Sequence, residues 1–179
     1  MSKKIMAASL LSFFIFSQNA ISSEVIDNKS PEKSGGEFVY SKDSVIKSQQ
    51  EDVYKVINLY QNYLNSGETS KILSLFSSGS FSQWNNSVTA DSDSKRKEQY
   101  NSLFKKEKFR TEFAFDTIYI NGDTAIVRTH HHLGAVVNNI EENKTVIDLN
   151  REVFVLNKVD GKWKIFLYTF NTNPLQGVS

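Results

Sequence analysis

The sequence predicts an α+β domain: a cone-shaped roll in which three N-terminal helices pack on a curved antiparallel sheet of four or more strands. Three observations carry that expectation. Between residues 49 and 107 apolar residues recur at helical spacing. From residue 109 onward they fall in long runs rich in aromatic and β-branched side chains. Two tight-turn signals, Asn121-Gly122 and Asp160-Gly161, fold those runs back on one another. Helices first and a meander afterwards is the order of an α+β domain, since a parallel sheet alternates the two.

The chain has 179 residues and opens with Lys3 and Lys4, an apolar run over 5–16 and the small-residue site Ala20-Ile21-Ser22. This is the pattern of a secretory signal over residues 1–22, cut after Ser22. The 12-residue apolar run is too short to span a membrane, which takes ~20 residues. The expected product is exported, periplasmic or secreted, with no membrane segment in its mature form. Residues 23–48 are polar and aperiodic, with Ser30-Pro31-Glu32-Lys33-Ser34-Gly35-Gly36 as linker chemistry, and are expected to form a flexible tail. The domain itself is expected over 49–173.

Within it, Val53, Val56, Ile57, Tyr60, Tyr63 and Leu64 mark the first helix, which Gly67 ends as a left-handed cap. Thr69 is expected to cap a short second helix bearing Ile72, Leu73, Leu75 and Phe76. Residues 77–90 are Ser/Asn-rich and read as irregular, with room for a short strand. Ser92 or Asp93 starts a third helix ending near 107. Strands are then expected over 109–120, 123–137, 144–157 and 162–171. Both faces of the later strands carry apolar residues. The helices can cover only one, so the other suits a homodimer contact or partial exposure.

Composition excludes several classes. The net charge of +1 falls to −1 once Lys3 and Lys4 are removed, which gives no electrostatic case for nucleic acid. The basic stretch Lys95-Arg96-Lys97 is interleaved with acids and reads as a solvated helix face. The absence of cysteine rules out disulfides, thiolate metal sites and a cysteine nucleophile. No glycine-rich phosphate loop, dinucleotide fingerprint or serine-hydrolase elbow is present, and no cofactor is expected.

The stretch 53–76, with its Asn65-Ser66-Gly67-Glu68 break and terminal Leu75-Phe76, resembles the opening of the nuclear transport factor 2-like superfamily. Its members include ketosteroid isomerases and SnoaL-like cyclases. Residues 151–156 followed by Asp160-Gly161-Lys162-Trp163-Lys164-Ile165 are similar to the closing hairpin of that superfamily. The resemblance covers roughly residues 50–172. It implies a curved sheet wrapped round helices with a pocket in the cone, and it places Tyr60 at the oxyanion-hole tyrosine of the isomerases. At the two isomerase carboxylate positions it places Trp84 and Val153, so isomerase chemistry is not expected. Single-residue shifts would offer Gln83, Asn85, Glu152 or Phe154, of which one is a carboxyl.

The same resemblance turns Arg128, His130 and His132 toward the cone beside Arg151, with Tyr60 and Trp84 as walls. That set is a polar, partly cationic pocket for an acidic or oxygen-rich small ligand. The competing reading is a solvated sheet face with the register off by one. His130-His131-His132 cannot supply a zinc site, because alternate strand residues point to opposite faces and no further ligand is placed to finish it. His130 or His132 with Tyr60 could serve acid–base catalysis. Trp163 reads as a packing anchor, Asp123 and Asp160 belong to turns, Asp116 lies on a strand, and Asp148 is the reserve acid. The expected function is a non-catalytic small-molecule-binding domain. A SnoaL-like enzyme with a histidine base and a protein-interaction module stand as alternatives.

Overall fold

A computed structural model describes residues 38–178. The expected signal peptide and the tail up to residue 37 lie outside the described residues.

The first helix, α1 (Ser44–Ser66), starts within the stretch expected to be a flexible tail. Asp43 explains this: its carboxylate accepts from the Val45 and Ile46 N–H groups, an N-cap that composition concealed. Ahead of it Ser41 N–H bonds Gln50 Oε1 at 2.8 Å, and Tyr40 packs edge-on against Tyr54. The tail is therefore held down from residue 38. Gln50, Val53, Ile57, Tyr60 and Leu64 form the buried stripe of α1, at spacings of three and four. Gly67 (φ 68°) closes the helix as expected, its N–H returning to Leu64 O. The short α2 (Thr69–Ser74) follows, with Glu68 rather than Thr69 at the N-cap position. Further along, Ser92 caps α3 (Asp93–Lys106) by accepting from Lys95 N–H.

Between α2 and α3 runs β1 (Phe76–Gln83), a full strand where the sequence suggested irregular chain. Its partner is the last strand, β8 (Lys162–Thr172), and the pair is parallel. The main sheet is therefore mixed, in the order β1-β8-β7-β4-β3, with β3 (Phe113–Asn121), β4 (Thr124–His131) and β7 (Asn150–Val159) antiparallel to their neighbours. A second sheet, in the order β2-β5-β6, holds β2 (Glu107–Arg110), β5 (Val136–Asn139) and β6 (Lys144–Ile147).

Arg96 corrects the solvated-face reading of α3. It is fully buried, and every nitrogen is engaged. Nε donates to Ser82 Oγ at 3.0 Å, Nη1 to Asp93 at 2.9 Å and Nη2 to the Ser80 carbonyl at 2.8 Å, while the guanidinium lies over the Phe76 ring. A buried guanidinium is tolerated only when saturated in this way. Here it fastens α3 to β1, which explains why a serine-rich segment becomes a strand.

The core lies between α1 and the sheet: Val53, Ile57, Tyr60, Ile118, Val127, Phe154, Leu156 and Ile165 are all essentially inaccessible. Trp163 joins it as expected. His130 is also buried, on the opposite face of β4; the alternating buried positions are Ala125, Val127, Thr129 and His131 along β4 and Glu152, Phe154 and Leu156 along β7. These residues face the helices.

Candidate functional site

Three of the four strands expected to be continuous are broken, all at one level. The first expected run stops at Thr111, between β2 and β3. The second stops at 132–135, between β4 and β5, where Gly134 takes φ 94°. The third stops at Asp148, between β6 and β7. Hydrogen bonds join the three breaks. Asp148 N–H donates to Ala135 O at 3.0 Å, and Thr111 Oγ1 to Asp148 Oδ2 at 2.8 Å. The last turn of α1 braces the same corner through Asn65, whose amide donates to Thr111 O and accepts from Thr111 N–H. From the C-terminal side Gln176 Nε2 donates to Ala135 O at 2.7 Å.

His131, the last residue of β4, projects into this corner. Its Nε2 lies 2.6 Å from Glu152 Oε1, and its Nδ1 lies 2.9 Å from Asp148 Oδ1. The second contact is close but poorly aligned, so it acts as an ion pair more than as a directed hydrogen bond. All three side chains are about 3% exposed or less. Burial alone would drive the proton off His131. Hydrogen bonds to Asp148 and Glu152, and then their charges, overcome it and push the pKa up to about 9. The imidazole is accordingly a cation at neutral pH. Thr129 Oγ1 donates to the other Glu152 oxygen at 2.7 Å, as Thr111 does for Asp148. The cluster thus has one cation, two carboxylates and a hydroxyl donor for each.

Next to it, still on the helix side, three phenols meet. Tyr60 and Tyr100 share a 2.7 Å hydrogen bond between hydroxyls, and the Tyr60 ring lies 5.1 Å from that of Tyr168. Burial pushes all three phenols well above their ordinary pKa, so they stay neutral donors. Around Tyr100 the packing loosens into side chains that are only partly buried: Trp84, Leu103, Phe104, Phe109 and Phe170. Trp84 packs edge-on against Tyr100 at 4.9 Å, and its indole nitrogen is buried with no partner among the described residues. Glu107, two residues before Phe109 on β2, joins the same region. Burial first and the Asp148 charge second hold its carboxyl above the ordinary carboxylate range.

The structure divides the residues singled out by sequence. Tyr60 and Trp84 lie together on the helix side, both in contact with Tyr100. Arg128, His130 and Arg151 do not join them. Arg128 is exposed on the face turned away from the helices, and His130 pairs across strands with Arg151 on that same face. His132 follows the strand, its ring 6.4 Å from that of His130. The reason is the period of two. Ala125 and Val127 fill the space under α1, and the alternation then carries Thr129 and His131 inward and Arg128 and His130 outward. Similarly Val153, the residue placed by resemblance at an isomerase carboxylate position, faces away, and its neighbour Glu152 faces the helices. Sequence reasoning missed His131 and Glu152 as site residues. Its only signals for them were the reserve acid Asp148 and the single-residue shift that offered Glu152. Among the described residues no group of three or more His, Asp or Glu is arranged to hold a metal ion, and no helix is long and apolar enough to cross a membrane.

Neither a protein-family model nor a curated protein sequence matches the chain. Solved structures do. A ketosteroid isomerase-like protein from Erwinia carotovora atroseptica superposes with a TM-score of 0.65 at 16% identity, covering 69% of this chain and 95% of that one. An NTF2-like protein of unknown function from Pseudomonas putida gives 0.58 at 10% identity, over 69% and 86% of the two chains. An NTF2-like protein with a cystatin-like fold from Novosphingobium aromaticivorans gives 0.56 at 14%, over 70% and 82%. Similarity at such low identity speaks to architecture alone. The described part of the chain has the nuclear transport factor 2-like fold.

Proposed function

We propose that this is an exported small-molecule-binding domain without catalysis. Its ligand lies on the helix side of the sheet, against Trp84, Phe104, Phe109 and Phe170. One observation carries the reading. At this end of the cone the aromatic packing is incomplete, and the buried indole N–H of Trp84 meets no acceptor among the described residues. Buried donors are ordinarily satisfied, so an orphan beside half-covered rings supports a place for a ligand acceptor. Toward the interior the ligand meets Glu107 and, beyond it, the Asp148–His131–Glu152 cluster. That end of the site holds more carboxylates than cations. The favoured ligand is therefore a ring compound carrying amine or hydroxyl donors, in place of the acidic one expected when Arg128 and Arg151 were placed inside.

A SnoaL-like enzyme with a histidine base has less support. A general base works best with a pKa near the operating pH, and His131 is held protonated to about 9. His130 and His132 do not reach the phenols.

Native mass spectrometry of the protein from its own source would report a retained ligand and, in the same spectrum, whether the mature chain begins at Ser23. A thermal-shift panel of amine- and hydroxyl-bearing ring compounds then compares the protein with Trp84→Ala. Stabilisation lost in the variant is the expected result. Equal responses in both proteins overturn the assignment, and pH-dependent turnover of a bound compound replaces it with the enzyme.

A further inference from the structure

The outward face of the sheet holds a cluster that the helix-side site leaves unused. Arg128 and His130 stand two residues apart on β4 and so on one face. His130 is the register partner of Arg151 on β7, and Arg128 that of Val153, which sets the two arginines diagonally across one strand pair. On the other flank of β4, β3 bulges between Phe115 and Thr117, and the extra residue is Asp116. The bulge brings the Asp116 carboxylate 2.7 Å from His130 Nδ1. The His130 ring is 2% exposed, and its Nε2 is buried without a partner among the described residues.

These facts fit together chemically. Asp116 fixes the His130 ring through this contact. The two ring nitrogens lie on opposite flanks of an imidazole. Nδ1 is turned to Asp116 on β3, and Arg151 is the register partner of His130 on the β7 side. Arg151 spends Nε on Asn171 Oδ1 at 3.1 Å, which holds the guanidinium and leaves its terminal nitrogens without a partner among the described residues. Arg128 is exposed and forms no ion pair among the described residues. Two guanidinium forks and one imidazole nitrogen then share one face of the β4–β7 pair, beside an Asp116 that is hydrogen-bonded to His130. Forked guanidinium donors match the oxygens of a carboxylate or phosphate.

We propose that the face of the sheet turned away from the helices carries a second binding site, for a small oxyanion, built from Arg128, His130 and Arg151. The site is separate from the proposed helix-side site and stands without it.

The test titrates the mature chain with inorganic phosphate and, in a separate arm, with succinate, following thermal unfolding against sodium chloride at matched ionic strength. The unaltered protein should be stabilised by at least one of the two anions, and the arm that responds identifies phosphate or carboxylate as the ligand chemistry. Arg128→Ala/Arg151→Ala should weaken the apparent affinity at least tenfold. His130→Asn, which keeps a side chain of similar reach, should weaken it by a smaller factor. Lys162→Ala, an exposed cation elsewhere, and Trp84→Ala on the helix side should respond as the unaltered protein does. Equal shifts with sodium chloride, no shift with either anion, or an undiminished response in the double variant would overturn the proposal. Because Trp84→Ala is carried alongside, failure here and failure of the helix-side reading are separable.

Discussion

His130 and His131 are adjacent in sequence, almost equally buried, and each touches a carboxylate, yet they do different work. His131 faces the helices, where two carboxylates and their threonine donors close round it. His130 faces outward with one carboxylate partner and one nitrogen unmatched. The inner cluster is a buried network at the corner where two sheets meet, in which each carboxylate meets both His131 and a threonine hydroxyl. The outer one is incomplete. Mutual pairing inside a low-dielectric corner makes an ion cluster structural, because removing any member strands the others. Incompleteness near the surface leaves chemistry available to something else.

The sharpest way to break this contrast is to delete the cation. His131→Ala leaves Asp148 and Glu152 buried and uncompensated, so urea unfolding should show a loss of about 3–5 kcal/mol. A loss below ~1 kcal/mol would mean that the carboxylates are solvated or neutral and that the corner is not held by charge.

The next largest effect is pH dependence. The His131 pKa is raised from 6.5 in the unfolded chain to about 9 in the fold. The folded state therefore binds its proton more tightly. That stabilisation is fully present below pH 6.5 and is lost as pH climbs through about 9, a change of order 3 kcal/mol across the window. Denaturation midpoints measured between pH 6 and pH 10 should fall in the natural protein and stay flatter in His131→Gln. Matching slopes would remove His131 as the origin.

The smallest effect belongs to the outer face. Arg128→Ala should change stability by no more than about 0.5 kcal/mol in the absence of an oxyanion, since the side chain is exposed. A larger loss in calorimetry would show that Arg128 serves the fold, and the contrast between the faces would narrow.

Much of the fold was legible beforehand because it is written locally. The three-and-four spacing of Val53, Ile57, Tyr60 and Leu64, the Gly67 cap, and the turns at Gly122 and Gly161 each depend on a few neighbouring residues. The site was less legible. On β4, Ile126 alternates with Ala125 and Val127, and on β7 Val153 and Val155 alternate with Phe154 and Leu156, so hydrophobicity alone does not choose the inward face. A one-residue slip reverses every side chain, and it moved Arg128, His130 and Arg151 from the expected pocket to the opposite face of the sheet.

Sequence by itself determined the three helices, the Gly67 and Ser92 caps and the turns at Gly122 and Gly161, because those follow from backbone preferences acting over a handful of residues. Tertiary structure decided the three aligned strand breaks, the burial of Arg96 and the inward turn of His131 and Glu152. Each of these is set by partners distant in the chain: Thr111 and Ala135 for Asp148, Ser80 and Ser82 for Arg96, and the volume under α1 for the face of β4. Burial of charge is settled by whether enough partners converge in space, a condition no local pattern encodes.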